Sequence, residues 1–336
     1  MLTYKSVVVF AELPDKHGFA GMYCGMSVDA LICAGGANFP NDPMAKGGAK
    51  VWSDIVYMLH APNARWEEVG RLPKPSAYGV SASWRDAMVV VGGGDAVRNF
   101  RDCYLLRWDE TRIAFEELPE LPLPMSNCCG AVVGDTIYVA GGQETPNSAT
   151  TLGCCYTLNL ANRSCGWVEV PWPLNAPGRI QAVAGSHGEW FYFFSGIDLV
   201  PSKNGSSRRR YLIDAWRHNV EVGWERLPDL PHAVAAAPTP AMLDRDAKLV
   251  ISGGVWPDYI DTISPMDAHP GFSRDFLVYD IGRHTWARSA ATTLSPKTPP
   301  ARVTTATAVW RGLYVIPSGE VAPGVRTRSV LGYRIG

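Results

Sequence analysis

Short apolar runs recur along the whole chain, each closing on glycine, and long stretches of helical period are missing. Six of these runs end alike: Ala34-Gly35-Gly36, Val91-Gly92-Gly93, Ala140-Gly141-Gly142, Ser195-Gly196, Ser252-Gly253-Gly254 and Ser318-Gly319. Successive second glycines stand 49 to 65 residues apart. Counting from Gly319 through the C-terminus and on from the N-terminus to Gly36 adds an interval of 53, so the period closes on itself. After each doublet comes an apolar strand carrying an aromatic (Tyr57, Tyr104, Tyr156, Trp216, Tyr279, Tyr333). A strand opened by a large aromatic follows (Trp66, Phe115, Trp167, Trp224, Trp286), commonly ending in Leu-Pro.

Four short strands per unit of roughly fifty residues predict an all-β, six-bladed kelch-type β-propeller occupying 1–336 as one domain. The sixth unit lacks its fourth strand at the C-terminus. The run Tyr4–Phe10, followed by Leu13-Pro14, supplies it, so blade six combines roughly 300–336 with 1–14 and the N-terminal strand latches the ring. In such a blade the segment before the innermost strand and the loop after the doublet lie at the same end. One rim of the channel is therefore built from two sets of loops, where function concentrates. The run Val234–Pro240 is expected as blade five's inner strand, its two prolines tolerable on a channel-facing edge.

Composition narrows the function classes. The 336 residues carry a net charge of −1, with 46% hydrophobic and 19% charged residues. No basic excess suggests a nucleic-acid partner, and no run approaches the ~18 apolar residues of a membrane span. The apolar stretch Ser6–Ala11 is too short for a secretory leader, which makes the cytoplasm the expected location, or the periplasm if a leader has been trimmed. Eight cysteines without Cys-x-x-Cys or zinc spacing read as reduced, buried hydrophobes, and seven scattered histidines make a metal centre an unsupported expectation. No cofactor is expected.

The rim carries amides, guanidiniums and carboxylates, which suit a polyhydroxylated anion. Its candidate substrate contacts are Asn38, Phe39, Tyr78, Asn127, Arg179, Gln181 and Arg302, with Lys46 and Lys50 on a long loop of blade one. The most pointed stretch is Ser318-Gly319-Glu320 followed by Arg326: a buried strand delivers a carboxylate, Pro323 and Gly324 turn the chain, and a guanidinium returns. Taken alone, the pair also reads as a surface ion pair stiffening a hairpin. Arg208-Arg209-Arg210 is read as a solvated loop, and 257–275 as either a lid or an ordinary insertion.

The stretches Gly18-Phe19-Ala20-Gly21, Ala34–Pro40, Lys50-Val51-Trp52, Ala77–Ser81 and Ser318–Thr327 resemble the N-acetylneuraminate epimerase (sialic acid mutarotase) family, in its cyclically permuted subgroup. The resemblance implies an isomerase acting on an acidic sugar, with Glu320 and Arg326 as the catalytic pair. Arg326 would hold the sugar's carboxylate and Glu320 would shuttle the anomeric proton, with Tyr78 a candidate for the ring-oxygen proton. It also implies a homodimer. One departure stands out: Ser76 occupies a position where the family carries arginine, which suggests a substrate contact supplied instead by Arg179 or Arg302. The competing reading is a non-catalytic carbohydrate-binding or protein-interaction propeller. A sialidase lacks its Ser-x-Asp-x-Gly-x-x-Trp boxes here, and a copper oxidase its histidine pattern.

Overall fold

The computed structural model describes residues 6–202, 207–255, 271–289 and 300–335. Six four-stranded antiparallel sheets succeed one another along the chain as the blades of a propeller. Blade one comprises Tyr23–Ser27, Ala30–Ala34, Ile55–Leu59 and Glu67–Arg71. Blade two runs from Val80–Trp84 to Ile113–Glu117 and blade three from Cys129–Val133 to Val168–Val170. Blade four runs from Val183–His187 to Gly223–Leu227 and blade five from Met242–Leu243 to Thr285–Ser289. Blade six takes Ala308–Trp310, Leu313–Pro317 and Val330–Arg334, with Ser6–Val9 as its outer strand. Among the described residues there is no α-helix, and no helix long and apolar enough to cross a membrane.

The hydrophobic pattern follows from this stacking. Each second strand is sandwiched between neighbouring blades on both faces, so Ala30–Ala34 and Ala87–Val91 are buried at every position and apolar throughout. Outer strands such as Glu67–Arg71 meet solvent and are polar. The two periodic signals at the blade edge have one cause. The indole N–H of Trp66, Trp167, Trp224 and Trp286 donates to the carbonyl of Ala11, Pro119, Pro171 and Pro228 respectively, each on the preceding blade. Blade two has Phe115 at this position, which packs edge-on against Tyr104 instead.

The inner ends of the blades are tied by a closed ring. One residue per blade, just ahead of the inner strand, adopts a left-handed conformation: Gly21, Tyr78, Asn127, Gln181, Ala236 and Thr304. The N–H of each donates to the carbonyl of the one on the preceding blade. Tyr78 donates to Gly21, Asn127 to Tyr78, Gln181 to Asn127, Ala236 to Gln181, Thr304 to Ala236, and Gly21 to Thr304, all at 2.6–3.0 Å. Six backbone hydrogen bonds thus encircle the channel. A residue earlier, Ala20, Ala77, Ser126, Ile180, Ala235 and Val303 bridge to the residue after each doublet: Ala37, Gly94, Gln143, Ile197, Val255 and Glu320.

Blade five departs from expectation. Val234–Pro240 is not its inner strand, which is reduced to Met242–Leu243. The upstream segment is occupied by the ring, and Thr239 makes a parallel bridge to Ala306 of blade six and accepts from the Ala184 N–H. Arg208-Arg209-Arg210 is not a loop either. It belongs to Ser207–Tyr211, paired with Ile197–Pro201 in a hairpin after the blade-four doublet, though its side chains are solvated as expected. Residues 257–270 of the 257–275 loop lie outside the described residues.

Candidate active site

Blades one and six raise equivalent hairpins from the rim. In blade one Ala37–Asn38 pairs with Val51–Trp52, and in blade six Glu320–Ala322 pairs with Val325–Arg326, turning at Gly324. The register sets Glu320 directly opposite Arg326, so both side chains leave one face of the hairpin. Their ion pair is 2.9 Å from Arg326 Nη2 to Glu320 Oε1, with the side chains only 4% and 18% exposed. The guanidinium also lies over the Phe39 ring, 4.5 Å from its centroid. This is no loose surface pair.

The blade-six hairpin is pinned to the residues that close the ring. Ser318 Oγ accepts from the Phe19 N–H at 2.6 Å and lies within donating distance of the carbonyls of Phe19 and Thr327. The Gly319 N–H donates to the Phe19 carbonyl. Gly18 is needed here because a Cβ would stand 2.0 Å from the Thr327 carbonyl oxygen, one residue from Arg326. Gly21 leaves room for the Tyr78 ring, which a Cβ would meet at 2.5 Å. Two glycines of the Gly18–Gly21 stretch thus shape the site by subtraction.

Tyr78 and Lys50 complete the cluster. Burial pushes the Tyr78 phenol up to about 12; the charge of Arg326 draws it down and that of Glu320 pushes it up, placing both groups beside it. The Lys50 ammonium lies 5.0 Å from the Tyr78 ring centroid and 4.9 Å from that of Trp52. Its pKa is lowered, first by desolvation and then by Arg326, against a smaller opposing pull from Glu320. The cluster is rich in donors. Arg326 Nε and Nη1 and Trp52 Nε1 are buried without a hydrogen-bond partner among the described residues. Two cations against one carboxylate, with two guanidinium nitrogens unpaired, make a site for an anion that accepts in-plane hydrogen bonds.

The channel beside the cluster holds a small cavity of about 60 Å³. Tyr78, Asn127, Gln181 and Thr304 of the ring line it, with Ser81, Thr239 and Thr305 beyond. Glu320 and Arg326 do not line it; Tyr78 belongs to both places. The cavity walls are neutral, so charge recognition and proton chemistry belong to the cluster, and the cavity offers amides and hydroxyls.

Of the residues expected at the site, the structure brings Glu320, Arg326, Phe39 and Tyr78 together and places Asn127 and Gln181 on the adjoining cavity. Asn38 is buried behind the hairpin, its amide donating to Asp15 Oδ1 at 3.2 Å. Arg179 and Arg302 are not rim residues. Each stands two positions before its ring residue, where the side chain wedges between blades. The Arg179 side chain is wholly buried, and its guanidinium forks onto both oxygens of Asp214 at 3.0 and 2.7 Å and lies over Phe193. Arg302 donates to the carbonyls of Ile316 and Ser329 and to Ser329 Oγ, and burial lowers its pKa to about 10, which leaves it charged at neutrality. Ser76 occupies the equivalent position in blade two, bonded to the Tyr23 hydroxyl at 2.7 Å. Its identity therefore reports blade packing, and neither arginine stands in for it. Lys50 was expected on a rim loop but without a partner, and Trp52 was missing from the expected contacts. Their signal was a lysine and an aromatic two apart, opposite Ala37 in a short hairpin.

Burial works to raise the Asp214 pKa, but the hydrogen bonds and charge of Arg179 and the Trp216 N–H outweigh it and hold the carboxyl below its usual value. Asp214→Asn should cost about 3–5 kcal/mol in urea unfolding at neutral pH, because it leaves a buried guanidinium without its carboxylate. A depressed carboxyl stabilises above its unfolded pKa and loses that contribution as pH falls through its folded one. The gap between wild type and variant should therefore narrow below pH ~4.

With this geometry in place, the relatives can be compared. Residues 5–115 match the family model of N-acetylneuraminate epimerase. That third of the chain carries Phe39, Lys50, Trp52 and Tyr78, whereas Glu320 and Arg326 lie outside it. An N-acetylneuraminate epimerase of Brucella suis is 35% identical over 111 residues, 30% of this chain and 28% of the relative. One of Salmonella enteritidis is 36% identical over 91 residues, 24% and 23% of the two chains. The alignments thus span about a quarter of the curated epimerases' length. The solved structure of YjhT superposes with a TM-score of 0.68 over 96% of both chains at 16% identity, a likeness of fold.

Proposed function

We propose that this protein interconverts the α and β anomers of N-acetylneuraminate, opening and reclosing the pyranose by proton transfer alone. The observation that carries this reading is the half-used guanidinium of Arg326. Nη2 is paired with Glu320, and Nε and Nη1 are buried without an acceptor among the described residues. A sugar bearing a carboxylate beside its anomeric carbon can take one of those nitrogens together with the second N–H of Nη2 as a bidentate pair. The anomeric hydroxyl then falls next to the carboxylate that shares the guanidinium. Glu320 takes the hydroxyl proton, the C2–ring-oxygen bond breaks, the open keto centre rotates, and reclosure on the other face returns the proton. The polyol end reaches toward the amides and hydroxyls of Asn127, Gln181 and Thr304. The partial match to N-acetylneuraminate epimerases supports the choice of sugar.

The expected result is faster α-to-β equilibration of N-acetylneuraminate freshly released by a sialidase, with an unchanged final ratio and no loss of rate in chelator. Proton NMR of the anomer-specific C3 methylene signals follows it directly. Binding without any change in exchange rate would make the protein a sialic acid lectin.

A further inference from the structure

Opening the ring requires an acid as well as a base. Once the anomeric hydroxyl has lost its proton, the electron pair of the breaking C2–O bond collects on the ring oxygen, which must be protonated to leave as a hydroxyl. Glu320 is committed to the first proton. Two other titratable groups face the same space, Tyr78 and Lys50.

Their settings differ. Tyr78 is fixed in the hydrogen-bonded ring by its backbone, and burial takes its phenol to about 12, far from neutrality. Lys50 immediately precedes Val51–Trp52, the strand that pairs with Ala37–Asn38, and its ammonium lies over two aromatic faces at 4.9 and 5.0 Å. Among the described residues it makes no hydrogen bond or ion pair, although lysines near carboxylates usually pair, as Lys74 does with Asp102. Cation–π contact holds the charge without occupying its N–H groups. A positioned lysine with three free donors and a neighbouring guanidinium is built to release a proton. An ordinary surface lysine would account for the exposure of its stem; it would not account for the two rings or for the missing partner.

We propose that Lys50 is the general acid of the reaction, delivering its proton to the ring oxygen as the ring opens and recovering it on closure. The assignment rests on the anomer-exchange reading above. In the open form Glu320 is protonated and Lys50 neutral; nothing is oxidised, and reclosure restores both. The lowered pKa of Lys50 acts in the same direction, since an acid works best when its pKa approaches the working pH.

The test compares Lys50→Met and Lys50→Arg with wild type, reading kcat and KM for anomer exchange by NMR and melting by circular dichroism. Both variants should melt close to wild type, since Lys50 is an exposed residue that makes no hydrogen bond or ion pair among the described residues. Lys50→Met should lower kcat about 100-fold. Lys50→Arg keeps the charge and should restore KM, yet its kcat should stay about 100-fold down, because arginine does not give up its proton. Wild-type kcat should also fall at alkaline pH as Lys50 deprotonates, and that limb should vanish in Lys50→Arg. Recovery of kcat by arginine, or wild-type turnover in Lys50→Met, sinks the assignment and leaves anomer exchange standing. A wild-type protein that binds the sugar without speeding exchange removes both.

Discussion

Glu320→Gln is expected to slow anomer exchange by about 10²–10⁴-fold while leaving sugar binding within a few-fold of wild type. The substitution keeps the size of the side chain and an oxygen to accept from Arg326 Nη2, now 2.9 Å from Oε1. The hairpin keeps its backbone pairing and its bridge to Val303, and the Gly324 N–H, which donates to Glu320 Oε2 at 3.4 Å, can still meet the amide oxygen. What disappears is the capacity to take a proton. Arg326→Lys should show the opposite split: its point charge cannot reproduce a planar fork over Phe39, so affinity falls first. Exchange rates from the C3 methylene signals and affinities from calorimetry separate the two. Undiminished exchange in Glu320→Gln would move the base elsewhere.

Removing residues 1–12 should abolish cooperative folding. Ser6–Val9 pairs along Val330–Arg334 from Ser6↔Arg334 to Val9↔Leu331, so its loss bares a full strand edge. Phe10 goes too, buried against Trp310 at 5.6 Å between ring centroids, as does the Ala11 carbonyl that takes the Trp66 N–H. Truncating a buried phenylalanine alone costs about 3–5 kcal/mol, against a total stability of about 5–15 kcal/mol for a typical domain. Phe10→Ala, which keeps the strand, should fold with a lowered melting temperature. The check is urea unfolding followed by tryptophan fluorescence; a truncated chain with an unshifted midpoint would mean the ring closes without the latch.

The two predictions concern the same place. The latch leads through Leu13 and Asp15 directly into Gly18 and Phe19, which pin the hairpin of Glu320 and Arg326. The carboxylate and guanidinium of the proposed site and the closing strand all sit at this seam, so its partial opening should cost activity before it costs fold.

The architecture was legible because it is written in repetition. Six doublets and four edge tryptophans each answer a constraint that recurs with every blade, and Glu320, Arg326, Phe39 and Tyr78 could be placed on the rim from it. The failures lie at a finer scale. Arg179 and Gln181 are two residues apart, and on a regular strand they would share a face. The left-handed residue at Gln181 breaks that alternation, turning one side chain to the channel and the other between blades. Counting by twos through such a position gives the wrong side, and Arg302 and Thr304 repeat the lesson. Val234–Pro240 misled for a related reason: an apolar run beside a doublet looks like a strand even when the ring and blade six have claimed its backbone. Lys50 was placed on the rim, but its two aromatic contacts could not be read from spacing.

The encircling hydrogen bonds use main-chain atoms alone, and this separates two kinds of change. A substitution at Tyr78, Asn127, Gln181, Ala236 or Thr304 alters what faces a guest without altering the donor or acceptor that holds its blade. The cost is limited to how well the newcomer tolerates positive φ, which asparagine does better than branched residues. Such a collar is an interchangeable vocabulary on a fixed frame. New selectivities can be written into it one word at a time.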